Sequence, residues 1–94
     1  MDAPLSFELS DEQIKADVLN RLMRRRCWGA KYLPTQGLIS WIGKRVKNDG
    51  SRVRRAIGEL IRSDLLISHK GGNTISLNPR RRMAIIEYID EHLI

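Results

Sequence analysis

A single cysteine, Cys27, occurs in 94 residues, so no intramolecular disulfide can form and a disulfide-stapled secreted scaffold is excluded. No apolar run approaches the ~20 residues that span a bilayer. Residues 1–10 lack the basic start and apolar stretch of a secretory leader, so the expectation is a cytoplasmic protein, nucleoid-associated if it binds DNA, or a nuclear one in a eukaryote. Aromatic residues amount to 5%, with no aromatic pair on an alternating segment, so Trp28 and Trp41 read as core anchors rather than base-stacking platforms. His69 and His92 lie far apart and share the chain with one cysteine, which gives no metal-ligand spacing. No glycine-rich phosphate loop precedes a helix, and neither a Ser/His/Asp order nor a pair of structured carboxylates is present. A chain of this length buries only about 60–65% of the surface its unfolded form exposes, so a closed core competes with any deep cleft for the same side chains. The expectation is one domain without a second lobe, and these absences point away from an enzyme, a metal site or a cofactor.

Acidic residues are scarce where basic ones are dense. The chain holds 17 Lys plus Arg against 11 Asp plus Glu, a net charge of +6, with 41% hydrophobic residues, a globular rather than a disordered balance. Residues 1–20 carry one Lys and five acids, residues 21–82 carry 16 basic residues and three acids, and residues 83–94 carry three acids. A segment of net +13 between ends of −4 and −3 suits a polyanionic partner. Twelve of the basic residues are Arg, whose planar fork matches phosphate and base edges.

Residues 1–9 hold Pro4 and scattered apolar side chains without a sustained period, an N-terminal arm before one domain over residues 10–94. Ser10 and Gln13 have the spacing of a capping box at the start of a first helix. There Ile14, Val18 and Leu22 recur every four residues beside Leu19 and Met23, one apolar face ending near Arg26, with Gly29 as the stop. Lys31 to Pro34 is short and proline-terminated, an edge strand or extended segment. Thr35 reads as the N-cap of a second helix with Leu38, Ile39, Trp41 and Ile42 on its apolar face, weakening at Gly43. Lys47-Asn48-Asp49-Gly50 is turn chemistry.

A third helix from Ser51 to Ser63 sets Val53, Ala56, Ile57, Leu60 and Ile61 in one stripe and leaves an Arg-rich face opposite. Leu66 to Lys70 and Thr74 to Leu77 alternate around Gly71-Gly72-Asn73, a β-hairpin with Ile67, Ile75 and Leu77 toward the core and Ser68, Lys70 and Ser76 outward. Asn78-Pro79 is a cap and first-turn proline that launches a fourth helix.

Tyr32-Leu33-Pro34-Thr35 leading into Leu38 to Ile42, then Ser51-Arg52-Val53-Arg54-Arg55-Ala56-Ile57 running on to Leu60-Ile61-Arg62-Ser63-Asp64-Leu65-Leu66 and the hairpin, resemble a winged helix-turn-helix domain. The likeness is to small prokaryotic and archaeal transcription regulators and covers residues 10–94. It implies a mainly α fold with a small β-hairpin, in the order helix, strand, helix, helix, strand, strand, helix. It also implies sequence-specific binding of double-stranded DNA, with the third helix in the major groove and the hairpin wing on flanking phosphates. Two departures stand out. The turn from Gly43 to Gly50 exceeds the three or four residues of a tight helix-turn-helix, and the short wing loop speaks against deep minor-groove insertion.

On that resemblance Ser51, Arg52 and Arg55 fall to base edges, with Arg54 toward a flank; Arg pairs with guanine O6 and N7 at about 1–3 kcal/mol of discrimination. Arginines crowding a helix start oppose the sign that the helix dipole favours, and the alternative is a solvated face in which they pair with Glu59. Lys44, Arg45 and Lys47 around the turn, and Lys70 and Asn73 at the wing, are expected as phosphate contacts, since both places commonly touch the backbone in such domains. Arg24 to Arg26 complement a helix C-terminus. Arg80 to Arg82, at a helix start, suit phosphate or an acidic partner. Cys27, after three arginines, is either a small packed residue or a thiolate sensor.

Eight of the twelve residues from Met83 to Ile94 are apolar, more than one stripe needs. The expectation is a homodimer through Ile85, Ile86, Ile89 and Leu93, setting two recognition helices about 34–36 Å apart; the alternative is a lid on the core. Two other function classes stay open: a protein-interaction winged helix with its third helix covered, and a structured-RNA binder, against which the narrow A-form major groove counts.

Overall fold

Ser10 opens α1 (Asp11–Arg24) as its spacing with Gln13 predicts: its Oγ accepts from the Gln13 N–H at 3.1 Å and Gln13 Oε1 accepts from the Ser10 N–H at 2.8 Å. The computed structural model describes residues 9–44 and 50–93. After α1 come β1 (Leu33–Pro34), α2 (Thr35–Gly43), α3 (Ser51–Arg62), β2 (Leu66–His69), β3 (Thr74–Leu77) and α4 (Arg82–His92). The order and types match the sequence reading, a mainly helical, winged-helix-like arrangement.

The stop of α1 is not Gly29. Arg26 takes the left-handed conformation (φ 57), and the Cys27 and Arg26 N–H groups donate back to Leu22 O at 2.9 Å and Met23 O at 3.0 Å. Asp64 (φ 70) ends α3 the same way, with Leu65 N–H on Leu60 O and Asp64 N–H on Ile61 O. Gly29 serves the sheet instead: at φ 60 its N–H donates to Leu77 O at 2.9 Å, and a Cβ there would meet Pro79 Cγ at 3.4 Å.

The sheet is antiparallel in the order β1-β3-β2, with Leu33 opposite Ile75, Leu66 opposite Leu77 and His69 opposite Thr74. Leu66, Ile75 and Leu77 close the core against Ile14, Val18, Leu22, Ile42 and Leu60, all at most 2% exposed. Two hairpin assignments change. Ile67 is half-buried while its neighbour Leu66 fills the core, and Ser76, expected outside, is fully buried. Its hydroxyl donates to Gly29 O at 2.8 Å and stands 3.0 Å from His69 Nε2. The cause lies outside the hairpin: the Trp28–Gly29 connection pairs with Leu77 and covers the outer side of β3.

Thr35 is not the N-cap of α2. Pro34 holds that position without a side-chain bond, and Thr35 Oγ1 donates to Gly72 O at 2.8 Å while its N–H donates to Asn73 O at 2.9 Å. The hairpin tip is thereby fastened to the start of α2. Leu38, Ile39 and Ile42 form the buried face of that helix, but Trp41 is 45% exposed rather than a core anchor.

Asn78 caps a 3₁₀ turn, Pro79–Arg81, ahead of α4, accepting from the Arg80 N–H and donating through Nδ2 to Asp64 O at 2.8 Å. The four residues expected at a dimer face divide. Ile85 and Ile89 are buried in the chain's own core, where α4 lies against α1, and Leu93 packs against that core. Only Ile86 faces out, with Met83 beside it. The side of this helix that carries Ile85 and Ile89 serves as cover for α1.

Candidate nucleic-acid interface

Val53, Ala56, Ile57 and Leu60 turn one face of α3 into the core, so the opposite face is set by helical spacing: Ser51, Arg54, Arg55 and Arg62 are exposed. Among the described residues, Arg54 and Arg55 make no ion pair with any carboxylate. Arg52 does not share that face. It points along the seam between α3 and α1, where Nη2 donates to Leu9 O at 2.8 Å and to Asp11 Oδ1 at 2.9 Å, and its side chain is 15% exposed. The expected base contact at Arg52 thus becomes a clamp between helices.

One turn further, Lys15 Nζ lies 2.6 Å from Glu59 Oε1, so Glu59 pairs with α1 and not with the arginines of its own helix. The hydrogen bond from Arg52 holds the Asp11 carboxyl below its usual range, and Lys15 does the same to Glu59. Glu59 in turn raises the Lys15 ammonium. The seam neutralises its own charges, and the outer face of α3 keeps its positive ones.

Between α2 and the start of α3 lies an open concavity lined by Gln36, Ser40, Lys44, Ser51 and Arg54 over Ile39. Gly50 permits the close approach: a Cβ there would stand 2.5 Å from Ile39 Cγ2. Two cations and three side chains able to donate hydrogen bonds make a site suited to a phosphate. Gln36 and Ser40 were missed in sequence. The available signal was their position opposite Leu38, Ile39 and Ile42 on α2. Lys44 is exposed just past α2, whereas Arg45, Lys47 and the turn up to Asp49 lie outside the described residues.

The wing carries Lys70 and Asn73, both exposed. Lys70 adopts φ 51 and sets Nζ 5.1 Å from the Tyr32 ring, which stacks on His69 at 4.8 Å. Because Thr35 ties the wing tip to α2, these two side chains are held relative to the α2–α3 concavity by the fold.

Other candidates resolve differently. Arg24, Arg25 and Arg26 are exposed, and Arg21 and Arg25 lie over the Trp41 ring at 4.3 and 5.2 Å. Arg80 to Arg82 are exposed, with Arg82 over Trp28 at 4.7 Å. Cys27 is 1% exposed, and burial pushes its thiol pKa up, which suits packing and disfavours a thiolate. Among the described residues no helix is long and apolar enough to cross a membrane. Comparison with known proteins finds no matching family model, curated protein or solved structure.

Proposed function

We propose that the chain binds double-stranded DNA and acts as a transcriptional regulator, with the outer face of α3 in the major groove. The observation that carries the reading is the sorting of charge on α3: Arg52 and Glu59 are engaged by α1, while Arg54 and Arg55 face outward on a helix whose apolar side is buried. Exposed arginines near a helix start work against the helix dipole, so folding does not account for them. Arg55 reads guanine edges, assisted by Ser51. Arg54 and Lys44, lining the concavity with Gln36 and Ser40, take a phosphate, and Lys70 and Asn73 take another across the wing.

Titration of a duplex at increasing salt tests this reading. With about four to six phosphates neutralised, log K falls linearly with log salt at about −0.9 per phosphate contact. A flat salt response, or no binding at low salt, refutes it. The protein-interaction reading has one specific observation of its own, the exposed Trp41 among arginines, which bears on a separate surface.

A further inference from the structure

Two exposed surfaces have no role in the nucleic-acid reading, and they are complementary. The first surrounds Trp41 on α2. The residue is 45% exposed, and its ring lies under Arg21 and Arg25 and borders an apolar shelf of Leu33, Pro34 and Gly37. Arg24 stands at the same rim. Arg21 is partly neutralised by Asp17, 3.3 Å away, but Arg24 and Arg25 make no ion pair among the described residues. A large aromatic ring left half in water and ringed by guanidinium groups suits a partner that is both apolar and anionic.

The second surface is the outer side of α4. Ile85 and Ile89 point into the core, so Met83, Ile86, Glu87 and Asp90 share the opposite face at helical spacing, with Glu91 beside them. Met83 is 66% exposed and Ile86 38%, and the three acids line one shallow depression. Like charges at Glu87 and Glu91 repel across one helical turn, and acids in the last turns oppose the helix dipole. Helix stability therefore does not explain them.

These surfaces match in chemistry and oppose in sign, yet within one chain they do not meet: Ile85 and Ile89 turn the other side of α4 toward α1, so Met83, Ile86 and the three acids face away from the Trp41 surface. We propose that the Trp41 surface of one copy receives the α4 outer face of a second copy, head to tail. The contact is heterologous, so it leaves one free surface of each kind at the ends and propagates beyond a dimer unless it closes into a ring. It differs in kind from a two-fold contact of α4 with itself, in which Glu87 and Asp90 would face their own negative copies.

The test is sedimentation velocity of the full chain without nucleic acid, so that its outcome is independent of DNA binding. The wild-type weight-average mass rises with concentration past that of a dimer. One variant, Trp41→Ala with Arg25→Glu, spoils the receiving surface; another, Ile86→Ala with Glu87→Arg, spoils the inserted one. All four side chains are exposed, and circular dichroism melts verify that each variant folds. Each variant alone associates at least about tenfold more weakly. Mixed in equal amounts, the two recover association as far as a one-to-one dimer and no further, because each supplies the one intact surface that the other lacks. A wild-type monomer at all concentrations overturns the proposal. So does wild-type-like association of the Trp41 variant, which would assign the contact to α4 alone, or a mixture no heavier than its components.

Discussion

Arg52 and Arg55 sit three residues apart on one helix and face different surroundings, so replacing each by alanine separates folding from recognition. Arg52 donates to Leu9 O and to Asp11, and its side chain is 15% exposed while that of Asp11 is 52% exposed. A charge-assisted bond to a half-buried carbonyl contributes about 1–1.5 kcal/mol, and the solvent-screened pair with Asp11 about 0.5 more. Arg52→Ala should then lose about 1.5–2 kcal/mol, which lowers the melting temperature of a domain this size by roughly 6–15 °C. Arg55 is exposed, so Arg55→Ala should stay within about 0.5 kcal/mol of the parent. The binding experiment inverts the order. Arg55→Ala should lose about 1–3 kcal/mol on a preferred duplex, a factor of about 5 to 150, with little change on unrelated sequence. Arg52→Ala should keep the parent's ratio of preferred to unrelated duplex at a temperature where both are folded. Thermal melts and duplex titrations of the two variants decide the matter. If Arg52→Ala melts with the parent and relaxes discrimination, Arg52 does not clamp the α1–α3 seam and belongs to the recognition face instead.

Glycine at either left-handed helix stop should stabilise: Arg26→Gly and Asp64→Gly each relieve a positive φ at an exposed side chain, worth about 1 kcal/mol and a melting rise of roughly 4–8 °C. Ser76→Ala should lower stability by about 1–3 kcal/mol in urea titrations, since it strips Gly29 O of its partner inside the structure. Ile85→Ala should lose about 2–5 kcal/mol while Met83→Ser changes little, a contrast that follows from full burial of one and 66% exposure of the other. Asp11 and Glu59 have carboxyl pKa values below their ordinary range, so their stabilising contribution is complete above that range and disappears as pH falls through the folded values. Urea midpoints measured downward from pH 6 should fall, and less steeply for an Asp11→Asn, Glu59→Gln variant. Lys15 is shifted up, so its share persists below the ordinary lysine value and is lost only as pH rises through the higher folded one.

The sequence by itself determined the elements, because the signals that make them are local. The Ser10–Gln13 box, the 3,1,3,1 stripe of α3, the glycine hairpin and the Asn78 cap each depend on residues within a turn or two, and the helices and strands follow them closely. Tertiary structure decided everything that depends on what lies across from a residue. Arg52 and Arg55 look alike in sequence, but only one meets Asp11 and Leu9, at and just before the start of a helix more than 40 positions earlier. Ser76 alternates like an exposed strand residue until the Trp28–Gly29 connection covers it. Trp41 has the spacing of a core residue, yet Leu38, Ile39 and Ile42 already fill that side of α2 and leave the indole to Arg21 of α1 and Arg25 at its end. The apolar excess of α4 was visible at once, but its division between core and surface was set by the area of α1 that needed covering. Periodicity says which side chains share a face; the packed neighbour determines whether that face is wet, paired or buried.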